Sequence, residues 1–336
     1  VGYIGEVSES FIKRNPEYQQ GDLIGKAGID KAYENDLRGQ SGSKFVIVDN
    51  HNRVKGPFLN GDYDKPAKPG YDLTSTIDIN LQILGEELMS GKRGSIVAIE
   101  PSTGEILALV SAPSFDPNLL VGNKRSGNYN KLEADSINLP LFDRGLLAQY
   151  PPGSPFKVIN ALIALQEGAI TPSTIMTCHH GFHFGSLNVA CHCGGGPMAL
   201  RKSISKSCNN YYCTTFKRII ESYPNAHEGM DGWSNHVQSF GLGNFLNNDL
   251  PTGTKGLVPT SSYYDRVLGY TGWKAVTTIS LGIGQGELLV TPIQLANMTA
   301  AIANRGYFYT PHIVKEIDHK PIQDERFAEP KQTTID

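Results

Sequence analysis

Residues 150–157 read Tyr-Pro-Pro-Gly-Ser-Pro-Phe-Lys, and the run Val-Ile-Asn-Ala-Leu-Ile-Ala-Leu-Gln follows directly over residues 158–166. The Pro-Gly pair predicts a tight turn. Pro155 suits the first helical position, because the backbone N–H that it lacks has no partner there. The run is apolar on nearly all sides and a glycine soon follows it, so we expect a helix buried inside a large domain. The first turn of this helix would carry Ser154 and Lys157.

Ser154 and Lys157 are three residues apart, so both side chains project from one face of that turn. A serine hydroxyl is a weak nucleophile and needs an adjacent base. Lysine has a reference pKa of about 10.4, and burial against the apolar run would lower the pKa of Lys157. The helix N-terminus would also stabilise an anionic oxygen that develops near Ser154. The pair is therefore a candidate nucleophile and base.

The Ser-x-x-Lys spacing alone is weak evidence, because it occurs four times and is usually a helix cap beside a surface lysine. Ser154 differs by the turn before it and the apolar helix after it. The other pairs lie in polar surroundings: Ser10 and Lys13, Ser41 and Lys44, and Ser203 and Lys206.

A second element, Ser207-Cys208-Asn209, falls inside a helix that we predict over residues 199–216. At this place a serine can pass a proton, and an asparagine amide can hold a substrate carbonyl. Ser-x-Asn also occurs at residues 126–128 and 136–138, in a polar stretch where a turn role is the better interpretation.

Composition excludes some classes of protein. Hydrophobic residues are 39% and charged residues 19% of the 336, which is typical of a globular protein with a sizeable core. The net charge is -3 and no long Lys/Arg run occurs, so we exclude nucleic-acid binding. No window approaches the roughly 20 apolar residues of a membrane span. The chain opens at Val1 without a signal peptide, which we interpret as a processed or truncated fragment.

The remaining pattern predicts an α+β fold, an antiparallel sheet flanked by a large helical part. We place a domain boundary between residues 72 and 73. The elements expected before it are a helix over 28–37, a strand over 44–49 and a linker over 56–71. Those expected after it are a helix over 78–89, a hairpin over 94–110, a mobile loop over 118–138, a helix over 292–303 and a strand over 310–317.

The two serine motifs resemble those of the penicilloyl-serine transferases, which pair Ser-x-x-Lys with Ser-x-Asn and a later Lys-Thr-Gly. Other stretches are similar to class B penicillin-binding proteins of the penicillin-binding protein 2 type. These stretches follow the family's order along nearly the whole chain: residues 25–39, 74–78, 97–108, 113–118 and 283–296. Cys208 inside the Ser-x-Asn element is also similar to that type.

This resemblance implies a β-lactamase-like transpeptidase domain over residues 73–336, preceded by part of a non-catalytic pedestal region over residues 1–72. The activity implied is that of a peptidoglycan D,D-transpeptidase of cell elongation, acylated by β-lactams and needing no cofactor for its chemistry. The implied partners are stem peptides ending in D-Ala-D-Ala and a glycosyltransferase of the elongation machinery. The implied location is the periplasm, with an inner-membrane anchor formed by an N-terminal helix.

The resemblance also assigns roles to single residues. Ser154 would attack the penultimate D-alanine carbonyl, and its backbone N–H would form half of the oxyanion hole. Lys157 would take the serine proton, and Ser207 would relay a proton to the leaving group. Asn209 would hydrogen-bond the substrate.

The chain departs from the family in one respect, because it contains no Lys-Thr-Gly. In the family that motif follows the region where this sequence stops, at Asp336. We therefore expect a transpeptidase domain that is incomplete at its C-terminus, and little acylation from these residues alone. The alternatives are a D,D-carboxypeptidase, a β-lactamase, and a non-catalytic cell-wall scaffold or penicillin sensor.

Five cysteines lie between residues 178 and 213, interleaved with histidines. Three interpretations stay open: disulfides of an oxidising compartment, buried free thiols, and a structural Zn²⁺ site. The resemblance implies a metal site beside the Ser-x-Asn element, where it would fix the loop that carries Ser207 and Asn209. The ligands would be Cys178, Cys191, Cys193 and Cys208, with His192 as an alternative.

Overall fold

The structure is a computed structural model that describes residues 2–335. Its N-terminal part is built of short elements: β1 (Gly2–Glu6), α1 (Glu9–Ile12), β2 (Leu23–Ala27), α2 (Gly28–Ala32), α3 (Glu34–Leu37), β3 (Val46–Val48) and β4 (Val54–Pro57). β1 pairs with β2, and β3 pairs with β4 in an antiparallel hairpin. The residues predicted as a linker therefore begin inside β4, so that part of the prediction is wrong.

The larger part begins with β5 (Leu73–Ser75), α4 (Ile79–Met89), β6 (Gly94–Ile99), β7 (Ile106–Ala112), α5 (Arg125–Ala134) and α6 (Lys157–Gln166). It continues with β8 (Met176–Cys178), β9 (Gly181–Phe184), β10 (Leu187–Ala190), β11 (Gly196–Met198), α7 (Leu200–Ser205), α8 (Asn209–Glu221), α9 (Ala226–Ser239) and α10 (Ser261–Leu268). It ends with α11 (Pro292–Ala303), β12 (Tyr307–Phe308), β13 (Val314–Ile317), β14 (Lys320–Pro321), α12 (Glu325–Ala328) and β15 (Lys331–Gln332).

β6 and β7 form the predicted hairpin, and α4 packs on it. Asp78 caps α4 by accepting from the N–H groups of Asn80 and Leu81, as an N-cap aspartate should. Alternate residues of β7 are buried, which is the period of a sheet with one covered face. Gly85 allows α4 to approach β7 closely, because a β-carbon at this position would lie 2.8 Å from a methyl group of Val110. Helix, strands and antiparallel pairing confirm the predicted α+β class.

Helix α6 lies in the largest apolar core, as the sequence predicts. Its core residues pack against α8, α9 and the segment Ile279–Ile283. Gly168 adopts a left-handed conformation, with φ of 66°, directly after the helix, which is the usual helix stop. The largest fully buried side chains of this core include Phe156, Ile159, Ile163, Tyr211, Tyr212, Phe216 and Trp233.

Two further predictions, both in the larger part, are wrong. The expected loop over residues 118–138 contains α5, which is stabilised by tertiary contacts: Tyr129 packs on the ring of Tyr3, and the Asn128 amide donates to the Leu119 carbonyl. The single helix expected over residues 199–216 is broken into α7 and α8. No glycine or proline marks the break, so local pattern alone does not show it.

The N-terminal part is joined to the larger part by a buried side-chain contact. Tyr33, between α2 and α3, donates its hydroxyl to Asp249 at 2.8 Å. Asp249 also accepts from the backbone N–H groups of Ile313 and Val314. The domain boundary expected between residues 72 and 73 precedes β5 and stays a prediction. The outer ends of the two predicted domains, residues 1 and 336, lie outside the described residues. Within residues 2–335, none of the helices has the length and apolar character of a membrane span.

Candidate active site

The turn before α6 presents Ser154 to solvent. Gly153 adopts φ of 65°, in the left-handed region that glycine tolerates, and a short 3-10 segment, Ser154–Phe156, leads into the helix. The Gly153 N–H donates to the carbonyl of Gly284 at 2.8 Å. The hydroxyl-bearing residue is thus exposed, although the turn beneath it is fixed by backbone contacts.

Lys157 is buried, with 3% of its surface exposed, and its ammonium points at the start of α8. Its Nζ donates to the Ser207 carbonyl at 2.8 Å, to Ser207 Oγ at 2.9 Å and to Asn209 Oδ1 at 2.7 Å. These acceptors match the three N–H groups of an ammonium. Burial lowers the pKa of Lys157 below its ordinary value, and the nearby cysteine sulfurs oppose this only in part. The side chain is therefore suited to act as a base.

Ser207 connects the lysine to the serine. Its Oγ accepts from Lys157 Nζ and donates to Ser154 Oγ, each over 2.9 Å. The sequence suggests direct contact between Ser154 and Lys157, whereas the described hydrogen bonds run from Lys157 through Ser207 to Ser154. The structure therefore brings the four predicted residues of the serine motifs, Asn209 included, into one network.

The backbone break between α7 and α8 makes this network possible. Ser207 adopts φ of 50°, a left-handed conformation that is uncommon for residues other than glycine. Asn209 begins α8; its backbone N–H donates to Cys191 Sγ at 3.1 Å and its Nδ2 to the Ala190 carbonyl at 2.8 Å. The loop that carries Cys191 therefore holds the residue that orients Lys157.

The cysteines Cys178, Cys191, Cys193 and Cys208 form a compact buried group whose sulfur atoms all lie within 4.8 Å of one another. All five cysteines are free thiols. Cys208 Sγ lies 3.8 Å from Cys191 Sγ and 3.4 Å from Cys193 Sγ. His192, the alternative ligand, is exposed and outside the group. Burial acts to raise the pKa of Cys191, but N–H donors, among them Asn210 and Asn209, outweigh it and lower that pKa to about 6.

Two residues around the nucleophile were missed by sequence reasoning. Gly284 accepts from Gly153, and a β-carbon on Gly284 would lie 2.3 Å from the Gly153 carbonyl oxygen. Asn160 is fully buried next to the same segment. The signal for Gly284 is the Gly-x-Gly-x-Gly pattern over residues 282–286, which resembles a phosphate loop but here packs against α8 and the turn of Ser154.

Comparison with known proteins gives the family. Residues 94–336 match the penicillin-binding protein transpeptidase domain, and residues 1–75 match the penicillin-binding protein dimerisation domain. The peptidoglycan D,D-transpeptidase MrdA of Acinetobacter baumannii is 34% identical in an alignment of 321 residues that covers 94% of this chain and 46% of that protein. This chain thus spans about half the length of that relative.

Solved structures support the same family. The crystal structure of Pseudomonas aeruginosa PBP2 in complex with WCK 5153 is 32% identical and has a TM-score of 0.81, covering 100% of this chain and 67% of the other. A structure titled as the coordination of polymerization and crosslinking by a peptidoglycan synthase complex is 30% identical, with a TM-score of 0.82, covering 99% and 57%. The chain belongs to the penicillin-binding protein transpeptidase family, as a class B member of the penicillin-binding protein 2 type.

Proposed function

We propose that this chain belongs to a peptidoglycan D,D-transpeptidase that cross-links stem peptides through an acyl-serine intermediate during cell elongation. The observation that carries the proposal is the hydrogen-bonded path from buried Lys157 through Ser207 to exposed Ser154. A lysine that is shielded from bulk water and hydrogen-bonded through one serine hydroxyl to another is an effective base for a serine nucleophile.

In the first step Ser154 Oγ attacks the penultimate D-alanine carbonyl, and the C–O bond forms as the hydroxyl proton leaves. For this transfer the hydroxyls rotate, so that Ser154 donates to Ser207 and Ser207 donates to a neutral Lys157 Nζ. The same path returns the proton to the departing D-alanine amine as the peptide bond breaks. The amine of a second stem peptide then attacks the acyl-serine ester; the C–N bond of the cross-link forms as the C–O bond to Ser154 breaks, and a proton from that amine passes to Ser154 Oγ.

Asn209 is suited to hold the substrate while it orients the lysine. Its Oδ1 is occupied by Lys157 and one N–H of its Nδ2 by the Ala190 carbonyl. A primary amide carries two N–H donors, so one is left for a substrate or β-lactam carbonyl. The backbone N–H of Ser154, in the turn at the start of α6, would supply half of the oxyanion hole.

The test is covalent labelling with a fluorescent penicillin, on the full-length gene product that contains this chain. Ser154→Ala should abolish the label, because no ester can form. Ser41→Ala removes an exposed serine with the same Ser-x-x-Lys spacing and should leave the label intact. Label that survives Ser154→Ala would refute the assignment, and a parent protein without label would favour the non-catalytic scaffold.

We further propose that Cys178, Cys191, Cys193 and Cys208 bind a structural Zn²⁺. Tetrahedral zinc with Zn–S bonds of about 2.3 Å places its sulfurs roughly 3.8 Å apart, and the separations around Cys208 are close to this. Zinc would supply no reaction step; it would link the loop of Cys191 and Cys193 to the start of α8.

Metal analysis of the purified protein tests the zinc site. The parent should hold about one zinc per chain and Cys208→Ser should lose most of it, because one of four ligands is replaced. Cys213→Ser is the matched control, since Cys213 is equally buried but lies outside the group. Zinc-free parent protein, or equal zinc in both variants, would contradict the site.

The wider context follows from the relatives. The synthase-complex structure joins polymerization and crosslinking, which supports a glycan-polymerising glycosyltransferase as partner. Peptidoglycan stem peptides and β-lactams are the substrates and inhibitors that the family implies, so we place the action of the protein outside the cytoplasm. The periplasmic location and the membrane anchor stay predictions.

A further inference from the structure

Asn160 lies on α6 one turn after Lys157 and is completely buried. Its Nδ2 donates to the carbonyls of Leu281 and Gly282, at 3.1 and 3.0 Å, and its Oδ1 accepts from Trp233 Nε1 at 2.8 Å. Both N–H groups and the amide oxygen are engaged, so this side chain has one orientation. An apolar residue here would leave the Gly282 carbonyl and the Trp233 indole N–H without partners in the core, whereas the Leu281 carbonyl would keep the Gly284 N–H.

The segment that Asn160 holds contacts both helices that carry the serine motifs. Gly282 lies so close to α8 that a β-carbon there would be 2.7 Å from the Tyr212 carbonyl oxygen. Two residues later, Gly284 accepts the N–H of Gly153, and its own β-carbon would lie 2.8 Å from Cβ of Phe156. The segment is therefore a spacer between the turn of Ser154 and the helix that follows Ser207.

We propose that Asn160 is a positioning residue for the acylation of Ser154, and this inference rests on the proposed function. By fixing the Leu281 and Gly282 carbonyls to α6, Asn160 sets where Gly284 supports the nucleophile turn. The same contact sets the separation of α6 and α8, and with it the 2.9 Å contact between Ser154 and Ser207. Packed interiors transmit small displacements, so loss of this contact shifts the reacting hydroxyl.

The experiment measures acylation by a fluorescent penicillin in the full-length gene product, with saturation kinetics that separate prior binding from the acylation rate constant. Asn160→Leu keeps a similar volume but removes all three hydrogen bonds. We expect the acylation rate constant to fall roughly ten- to hundredfold with little change in binding, because misplacement of a reacting group by an ångström has effects of this size. Asn160→Ser, whose hydroxyl and an added water can replace part of the network, should recover part of the rate.

Asn297→Leu is the matched control. Asn297 is also fully buried and donates to one carbonyl, that of Phe240, but it lies on α11. A purely structural loss lowers the fraction of protein that can be labelled, and leaves the rate constant of the folded fraction unchanged. Asn297→Leu should behave in this way, whereas Asn160→Leu should change the rate constant itself.

Three results would overturn the inference. One is an acylation rate constant for folded Asn160→Leu within about twofold of the parent, where an effect of at least tenfold is expected. Another is failure of both Asn160 variants to fold while Asn297→Leu folds, which would make Asn160 a stability residue. The third is a parent protein that takes up no label at Ser154. This result would overturn the proposed function, and the inference with it.

Discussion

The hydroxyls of Ser154 and Ser207 lie 2.9 Å apart, but the chain places them by different means. Ser154 stands on a turn whose left-handed residue is a glycine, Gly153, followed by a helix that the sequence already specifies. Ser207 itself adopts the left-handed conformation, which is unfavourable by about 1–3 kcal/mol for a residue with a side chain. Lys157 holds it there by donating to the Ser207 carbonyl, and Cys191 accepts from the backbone N–H of Asn209, two residues further on.

This difference separates local from tertiary placement. The turn of Ser154 needs residues adjacent to it in sequence, together with the Gly284 carbonyl. The conformation of Ser207 depends on side chains that are distant in sequence, Lys157 among them. We therefore expect the position of Ser207 to be more sensitive to remote substitutions than the position of Ser154. All acylation rates below refer to fluorescent penicillin and the full-length gene product.

The largest effect should come from Lys157→Met, which removes the base that both Ser154 and Ser207 depend on. General-base catalysis contributes about 10²- to 10⁴-fold, and the acylation rate should fall by that order. Lys44→Met, in an exposed Ser-x-x-Lys pair, should leave the rate unchanged.

The same variant tests the pH dependence. Burial lowers the pKa of Lys157, so the neutral amine forms at lower pH than in free lysine. The parent acylation rate should rise with pH, with a midpoint below the reference value of about 10.4. Lys157→Met should lack this rise, and an identical pH profile in both proteins would contradict the assignment of the base.

Ser207→Ala should come next, with an acylation rate about 10²-fold lower, since the proton path to Lys157 is interrupted. Ser207→Gly loses the same hydroxyl but relieves the left-handed backbone, so its thermal midpoint should exceed that of the alanine variant. If the two variants have equal acylation rates but different thermal midpoints, the catalytic loss is due to the missing hydroxyl and not to backbone strain. A parent-like rate in either would exclude the relay.

Gly284→Ala should have a smaller effect on the nucleophile turn. Its β-carbon would lie 2.3 Å from the Gly153 carbonyl oxygen, so the turn must move, and we expect the acylation rate to fall roughly tenfold. Gly122 has the same φ of 69° and nothing within 4 Å of its β-carbon position. Gly122→Ala should therefore carry only the backbone penalty of about 1 kcal/mol and leave the rate intact. Similar rates in the two variants would show that the turn tolerates displacement.

The smallest catalytic effect is expected for Tyr33→Phe, far from both serines. The variant loses the hydrogen bond to Asp249, which keeps its two backbone N–H donors. Unfolding free energy should fall by about 1.5–3 kcal/mol, as for a hydrogen bond to a charged group, and the acylation rate should not change. A reduced rate would show that the contact between the two parts also reaches the active site.

Helices and strands with a strong local pattern were predictable. Helix α11 has the predicted bounds, Pro292–Ala303, because its N-cap threonine and first-turn proline are sequence signals. Helix α5 was missed because contacts of Tyr129 and Asn128 with distant residues stabilise a polar segment. The break at Ser207 was missed because no glycine or proline marks it.

The sequence by itself determined the nucleophile turn, the buried helix after it and the order of motifs that marks the family, since turn residues and apolar periodicity act over a few neighbouring residues. Tertiary structure decided the route from Lys157 to Ser154, the grouping of the four cysteines and the part played by Asn160. These depend on how α6, α8 and the segment Ile279–Ile283 pack. Hydrogen bonds and sulfur contacts form within about 4 Å, whereas the residues that make them lie tens of positions apart along the chain.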